Sequence, residues 1–180
     1  MKATGIVRRI DDLGRIVIPK EIRRTLRIRE TDPMEIYTDM DGQIVLKKYS
    51  PMRDITAFAG EYAESMAANT GMTVAITDRE QVIAAAGNGK KLIQGKQISK
   101  ELNIIMDERR SVAASLGEPS YVSVVPDYEC RQEAVSPIIC AGDVLGTVIM
   151  LSDDTGHMFT DGENCIVKVA ADFLGKHLAG

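Results

Sequence analysis

The stretch Thr4-Gly5-Ile6-Val7-Arg8-Arg9-Ile10-Asp11-Asp12-Leu13-Gly14-Arg15-Ile16-Val17-Ile18-Pro19-Lys20-Glu21-Ile22-Arg23-Arg24-Thr25-Leu26 decides the fold of this chain's first part. Through Glu30 there are nine Lys and Arg (Lys2, Arg8, Arg9, Arg15, Lys20, Arg23, Arg24, Arg27, Arg29) against four acids (Asp11, Asp12, Glu21, Glu30). The whole chain carries a net −4, so this local excess of five leaves residues 31–180 at −9. A basic segment ahead of an acidic remainder points to one part that meets a polyanion and another with a different task. Arginine outnumbers lysine seven to two here. A planar fork of donors suits bidentate contact with phosphate oxygens or guanine edges better than a point charge does. A solvated basic face on a small domain fits the charge count about as well.

Three short β-type runs are read before residue 50: Gly5 to Ile10, Ile16 to Ile18, and a hairpin of Met34 to Thr38 with Gln43 to Lys48 around Asp39-Met40-Asp41-Gly42. A short helix lies between them, with Pro19 in its first turn, Ile22 and Leu26 on one edge, and Arg23 and Arg24 outward. About fifty residues in so few elements bury too little apolar surface to fold alone without disulfide or metal. The segment is therefore expected to dimerise, which also presents each arginine twice. Near Lys47-Lys48-Tyr49-Ser50-Pro51 the composition turns alanine-rich, and the domain boundary is placed there.

The quoted run, followed by Asp32-Pro33-Met34-Glu35-Ile36 and Ile44-Val45-Leu46-Lys47-Lys48-Tyr49, closely resembles the DNA-binding domain of AbrB-type transition-state regulators. That resemblance covers residues 1 to about 50. It implies a swapped-hairpin dimer in which two chains interleave strands into one β-barrel with a short helix. It also implies DNA contacts from Arg8, Arg15, Arg23 and Arg24, with Arg9, Lys2 and Lys20 as auxiliary phosphate contacts. Two positions depart from the family pattern: Arg27 stands where many relatives carry Gly, and Thr31-Asp32 where many carry Gly-Asp. With the long C-terminal part, the layout resembles regulators of late, forespore-stage sporulation genes that both activate and repress. The partner expected is double-stranded DNA.

Beyond the boundary, Ser50-Pro51 opens a linking and oligomerisation helix, residues 51–70, stopped by Gly71. Ile55, Ala59, Tyr62 and Met66 form a short heptad seam along it, compatible with a coiled coil or with ordinary packing on its own domain. A last helix starts at the capping box Thr160-Asp161-Gly162-Glu163 and carries Ile166, Val169, Ala170, Phe173 and Leu174 on one side. The two helices are expected to tie the dimers into a homotetramer. Between them lie β-runs at Thr73 to Thr77, Gln81 to Ala86, Tyr121 to Val125, Gln132 to Ile139 and Val144 to Leu151, and a helix from about Ser99 to Arg110. This order suggests a mostly antiparallel sheet covered on one face, in an α+β chain. With Pro137 to Ile139, the Gly142-Asp143 turn and the strand Leu145 to Leu151, residues 71–180 resemble GAF-type small-molecule sensor domains. Gly87 to Arg110 is the candidate cover over a ligand, which stays unidentified.

The chemistry is otherwise sparse. Cys130, Cys140 and Cys165 are an odd set without CxxC spacing, and His157 and His177 are too few for a zinc site, so no metal or cofactor is expected. Gly87-Asn88-Gly89-Lys90-Lys91 lacks the phosphate-loop spacing, with Ala84 and Lys91 where Gly and Ser/Thr belong, and is read as a turn. Charges interrupt the N-terminus, and no apolar run approaches membrane-span length, which fits a cytoplasmic, non-membrane protein. Two other classes stay open. Antitoxins share the N-terminal domain, and some GAF-fold enzymes use cysteine pairs, for which Cys130 and Cys140 would be the candidates.

Overall fold

The computed structural model describes residues 4–26, 28–30, 32–154, 156 and 158–179; Lys2, Arg27, Thr31 and His157, singled out above, lie outside the described residues. The chain divides into two compact units, Met1–Tyr49 and Ser50–Gly180.

In the first unit, α1 (Lys20–Thr25) precedes a two-stranded antiparallel ladder of β1 (Met34–Thr38) and β2 (Ile44–Lys48), in register from Met34 opposite Lys48 to Thr38 opposite Ile44. The Asp39 carboxylate makes the connection, accepting the N–H groups of Asp41 (3.1 Å) and Gln43 (2.8 Å), while Gly42 takes the left-handed φ of 76° that closes the loop. Pro19 sits at the N-cap, one position earlier than expected, and its carbonyl accepts the Arg23 N–H at 3.0 Å.

The expected strands at Gly5 to Ile10 and Ile16 to Ile18 do not form in the single chain. Only the turn between them does. Asp11 N–H donates to the Arg15 carbonyl and Gly14 N–H to the Asp11 carbonyl, both at 3.0 Å, with Gly14 at φ 75°. A strand exists through its ladder, and these arms find none within one chain. Among the described residues of this unit only Pro19 is buried.

In the second unit, five strands form one antiparallel sheet: β3 (Thr73–Thr77), β4 (Val82–Ala86), β5 (Val112–Ser115), β6 (Gln132–Cys140) and β7 (Asp143–Ser152), in the order β4-β3-β7-β6-β5. Four expected runs coincide with strands. Tyr121 to Val125 instead lies in an irregular loop, and β5 was not anticipated. Its four residues, Val-Ala-Ala-Ser, are too short and too weakly β-forming to stand out.

The helices are α2 (Pro51–Asp54), α3 (Thr56–Thr70), α4 (Lys90–Ile93), α5 (Lys100–Asp107) and α6 (Asp161–Leu178). The stretch 51–70 is thus two helices meeting at Ile55, and it belongs to the second unit rather than standing apart as a linker, with α3 packed on β3 and β4. Gly71 at φ 73° ends α3, its N–H returning to the Ala67 carbonyl.

The sheet is covered on both faces, not one. Every residue of β3 and β4 is buried, a pattern a half-solvated sheet cannot show. On one face Val74, Ile76, Ala134, Val148 and Met150 meet α3 and α6; on the other Ala75, Val135, Ile149 and Leu151 meet Ile93 of α4, Leu102 and Met106 of α5, and Val124 of the loop. Two glycines allow close approach: a Cβ on Gly146 would strike the Thr77 carbonyl, and one on Gly175 the Ile139 carbonyl.

The start of α6 is the capping box expected. Thr160 Oγ1 accepts the Glu163 N–H (3.3 Å), and Glu163 Oε2 accepts the Thr160 N–H (2.8 Å). Its buried stripe is Val167, Ala170, Ala171, Leu174 and Gly175. The single side read from sequence is therefore split. Ile166, Val169 and Phe173 are 42%, 59% and 44% exposed and form a second, outward apolar strip.

Candidate nucleic-acid interface

The predicted contact residues fall on two local structures of the first unit. Arg8 and Arg9 lead into the Asp11–Arg15 turn and Arg15 closes it, while Lys20, Arg23 and Arg24 lie on α1. Arg8, Arg9, Lys20 and Arg24 are exposed. Arg15 keeps 70% of its side chain in solvent and holds Asp11 at 2.8 Å. The Arg15 backbone N–H and its guanidinium keep the Asp11 carboxyl below the usual carboxylate range. Asp11 thereby orders the turn that carries Arg15, instead of opposing a polyanion freely.

Arg23 differs from the expectation of an outward residue. It is half-buried, and its Nε is enclosed without a hydrogen-bond partner among the described residues. Arg24, one position on, takes the solvent side. Helical geometry separates adjacent residues by about 100°, so the two arginines cannot share one outward direction.

This unit also exposes apolar side chains along the same arms. Val7 is 85% exposed, Ile10 66%, Leu13 70% and Val17 72%. Alternation along the arms thus mixes arginines with apolar groups that have no core in one chain.

In the second unit, the outward strip of α6 continues onto α3 as stacked rings. Tyr62 lies 5.5 Å from Phe173, and Phe58 lies 4.5 Å from His177. Of the seam read on α3, Ala59 and Met66 are buried against the sheet, whereas Ile55 and Tyr62 are half-buried at its margin. The seam serves mainly its own domain.

The cysteines do not assemble a thiol pair. Cys130 precedes the nine-residue strand β6 and Cys140 ends it, which sets them about 25 Å apart at ~3.3 Å per residue. Burial pushes the Cys130 thiol up to about 12, so it stays protonated and unreactive. The Gly87 to Lys91 stretch is a turn running from β4 into α4, and the Gly89 N–H donates to Thr73 Oγ1 at 2.9 Å.

Sequence reasoning passed over Glu133, which is 0% exposed on β6, and the tyrosines Tyr121 and Tyr128 in the loop above it. The signal was available: a carboxylate inside the apolar run 132–139, in phase with Val135. Within the same unit, Asp107 and Glu108 lie at the end of α5; Asp107 pairs with Arg79 and Glu108 with Arg110. No helix among the described residues is long and apolar enough to cross a membrane.

Matches to known families place the chain among transcription factors that couple an AbrB-like segment to a GAF-type fold. The family described as stage V sporulation protein T C-terminal, transcription factor, matches residues 54–179, and the family described as antidote-toxin recognition MazE, bacterial antitoxin, matches residues 7–54. The chain belongs to the stage V sporulation protein T family. It is 47% identical over 178 residues to stage V sporulation protein T of Bacillus subtilis, covering 99% of each chain. It is 65% identical over 51 residues to the transition state regulatory protein AbrB of the same organism, 28% of this chain and 52% of that one. In fold, it is similar to the cofactor-binding GAF domain of the nutrient sensor CodY from Clostridium difficile, with a TM-score of 0.53, 16% identity, and 66% and 83% of the two chains covered.

Proposed function

We propose that the chain regulates sporulation genes by binding duplex DNA through paired N-terminal units, in which Arg8, Arg15, Arg23 and Arg24 touch DNA and Arg9 and Lys20 add phosphate contacts. The observation that carries this reading is the state of the first unit. It presents arginines on an ordered turn and a short helix, yet buries only Pro19 among its described residues, so its apolar arms need a second copy. Pairing supplies the missing ladder partner, as the AbrB resemblance implies, and doubles the arginine array. By the same resemblance the genes are late, forespore-stage ones, some activated and some repressed. The site of action is the cytoplasm.

The apolar strip Ile166, Val169 and Phe173, continued by the rings of Phe58 and Tyr62, supports joining of two dimers into a tetramer. Linked dimers raise affinity for paired sites through effective concentration. The domain between these helices is read as the sensor of a small molecule that favours one arrangement over the other. Measuring DNA affinity of the full chain against salt tests the main reading. A slope of log K on log salt of about −5 to −7 is expected for roughly six to eight phosphate contacts, and a slope near zero would sink it.

The antitoxin match over residues 7–54 favours a second reading. It requires a toxin-binding tail, and the residues that follow here form a two-faced sheet domain instead. Co-purification with a small ribonuclease would revive it. No thiol chemistry is proposed, given the separation of Cys130 from Cys140.

A further inference from the structure

Two carboxylates are buried in the second unit, and what faces them differs. Asp78, 2% exposed, accepts the N–H groups of Glu80 and Gln81 at 2.7 Å each and lies 3.7 Å from the Arg53 guanidinium. Glu133, 0% exposed, accepts one N–H, that of Val122 at 2.6 Å. Its second oxygen, Oε2, is enclosed without a hydrogen-bond partner among the described residues. No cation among them pairs with it. Enclosing half a carboxylate unmatched costs free energy unless a cation or donor arrives to meet it.

The surroundings define what that cation would be attached to. Glu133 lies opposite Leu151 of β7 and Ala114 of β5, and Leu151 lies opposite Thr73 of β3. Strand spacing of ~4.8 Å puts Thr73 about 10 Å from Glu133 along one row, with Leu151 between them. Over the Thr73 end stands the Tyr128 hydroxyl, also enclosed without a partner; a Cβ on Gly89 would lie 2.9 Å from it and 3.0 Å from Thr73 Oγ1. The cover is the irregular loop holding Tyr121 to Cys130. It is tied by isolated bonds, including Val122 to Glu133 and the Cys130 N–H to the Tyr121 hydroxyl at 2.9 Å.

We propose that this face takes a small aliphatic ammonium compound, its cationic head on Glu133 and its apolar body over Leu151 toward Tyr128. The assignment rests on the sensing reading above and names its ligand class. The bond from Val122 ties the loop to the same carboxylate, so occupancy acts on the cover directly. Burial pushes the Glu133 carboxyl up to about 7, so pairing with a cation near neutrality expels a proton. Of the groups facing it, Ala114 and Leu151 do not titrate. Cys130 and Tyr121 on the loop are both raised by burial and stay protonated.

The test is calorimetric titration of the full chain with 3-methylbutylammonium, alongside its carboxylate and alcohol counterparts of the same shape. Saturable binding of the ammonium compound alone is expected, about tenfold weaker at pH 6 than at pH 8 as the carboxyl protonates. Glu133→Gln should weaken it at least tenfold, and exposed Glu129→Gln should leave it unchanged. Should Glu133→Gln fail to fold, heats in buffers of different ionisation enthalpy at pH 7 report on the natural chain. Release of about half a proton or more supports the site, and none overturns it. Binding of the carboxylate or alcohol with altered DNA affinity, but no binding of the ammonium compound, removes this site and leaves sensing standing. No binding by any of the three removes the ammonium site as well.

Discussion

The two units use apolar residues in opposite ways. The described residues of the second unit bury a core within one chain, on both faces of a five-stranded sheet, and leave an outward strip at Ile166, Val169 and Phe173, whereas those of the first unit leave Val7, Ile10, Leu13 and Val17 in solvent and bury only Pro19. Hydrophobic burial is what offsets chain entropy, so the second unit has far more to hold it together within one chain than the described residues of the first. The proposed pairing of N-terminal units would give those side chains a core. The turn and helix that carry the arginines already form in one chain, while the apolar arms beside them stay uncovered.

The sharpest way to break this comparison is to weigh one residue from each unit. Ile149→Ala, at a fully buried position, is expected to cost about 2–5 kcal/mol at every protein concentration. Val17→Ala should instead act on a transition whose midpoint falls on dilution, as the proposed pairing of chains requires. Thermal unfolding over a hundredfold concentration range distinguishes them, and a dilution-independent first transition would end the dimer reading.

A second effect belongs to the self-contained unit alone. The Glu133 carboxyl titrates near 7 when folded and near its ordinary 4.5 when unfolded, so the folded state binds more protons between those values. Stability should then fall as pH rises from about 4.5 to 7 and level off above, by up to about 3 kcal/mol. Glu133→Gln should flatten that slope in denaturant titrations, and an unchanged slope would mean that this carboxyl is not the cause.

Smaller changes are expected where surfaces act. Arg15→Ala or Arg24→Ala, each lost twice per dimer, should flatten the salt slope by about 1–2 without unfolding the second unit. Unaltered slopes in both variants would move the contact surface elsewhere. Val169→Asp, on the exposed strip of α6, should halve the sedimenting mass from tetramer to dimer with folded-state stability changed by about 0.5 kcal/mol or less. The least effect is chemical. Alkylation at pH 8 should label exposed Cys165 and leave Cys130 untouched, its thiol lying near 12.

Much of this architecture was legible because it is written locally. The capping box at Thr160, the stop at Gly71, the Asp39 loop and four of the five strands follow from residues within a few positions of one another. The misses share a cause in distant partners. The arms at Gly5 to Ile10 and Ile16 to Ile18 carry β-type residues but no ladder within the chain, and Tyr121 to Val125 is rich in β-forming residues yet runs as an irregular loop whose Val122 N–H donates to Glu133. On α6 the apolar positions read as one face, though they divide between the sheet and an outward strip.

The sequence by itself determined the order of most elements, the basic head on an acidic body and its preference for arginine over lysine, since short-range sterics, capping and charge need no knowledge of what lies across the molecule. Only the tertiary structure decided that the sheet is buried on both sides, that Cys130 and Cys140 are held apart by the length of β6, and that Glu133 is enclosed with an oxygen unmatched. Those outcomes depend on which residues meet across the sheet, and a carboxylate's environment is set by its neighbours in space: Val122 lies eleven positions away along the chain and supplies the one hydrogen bond that the Glu133 carboxylate receives among the described residues.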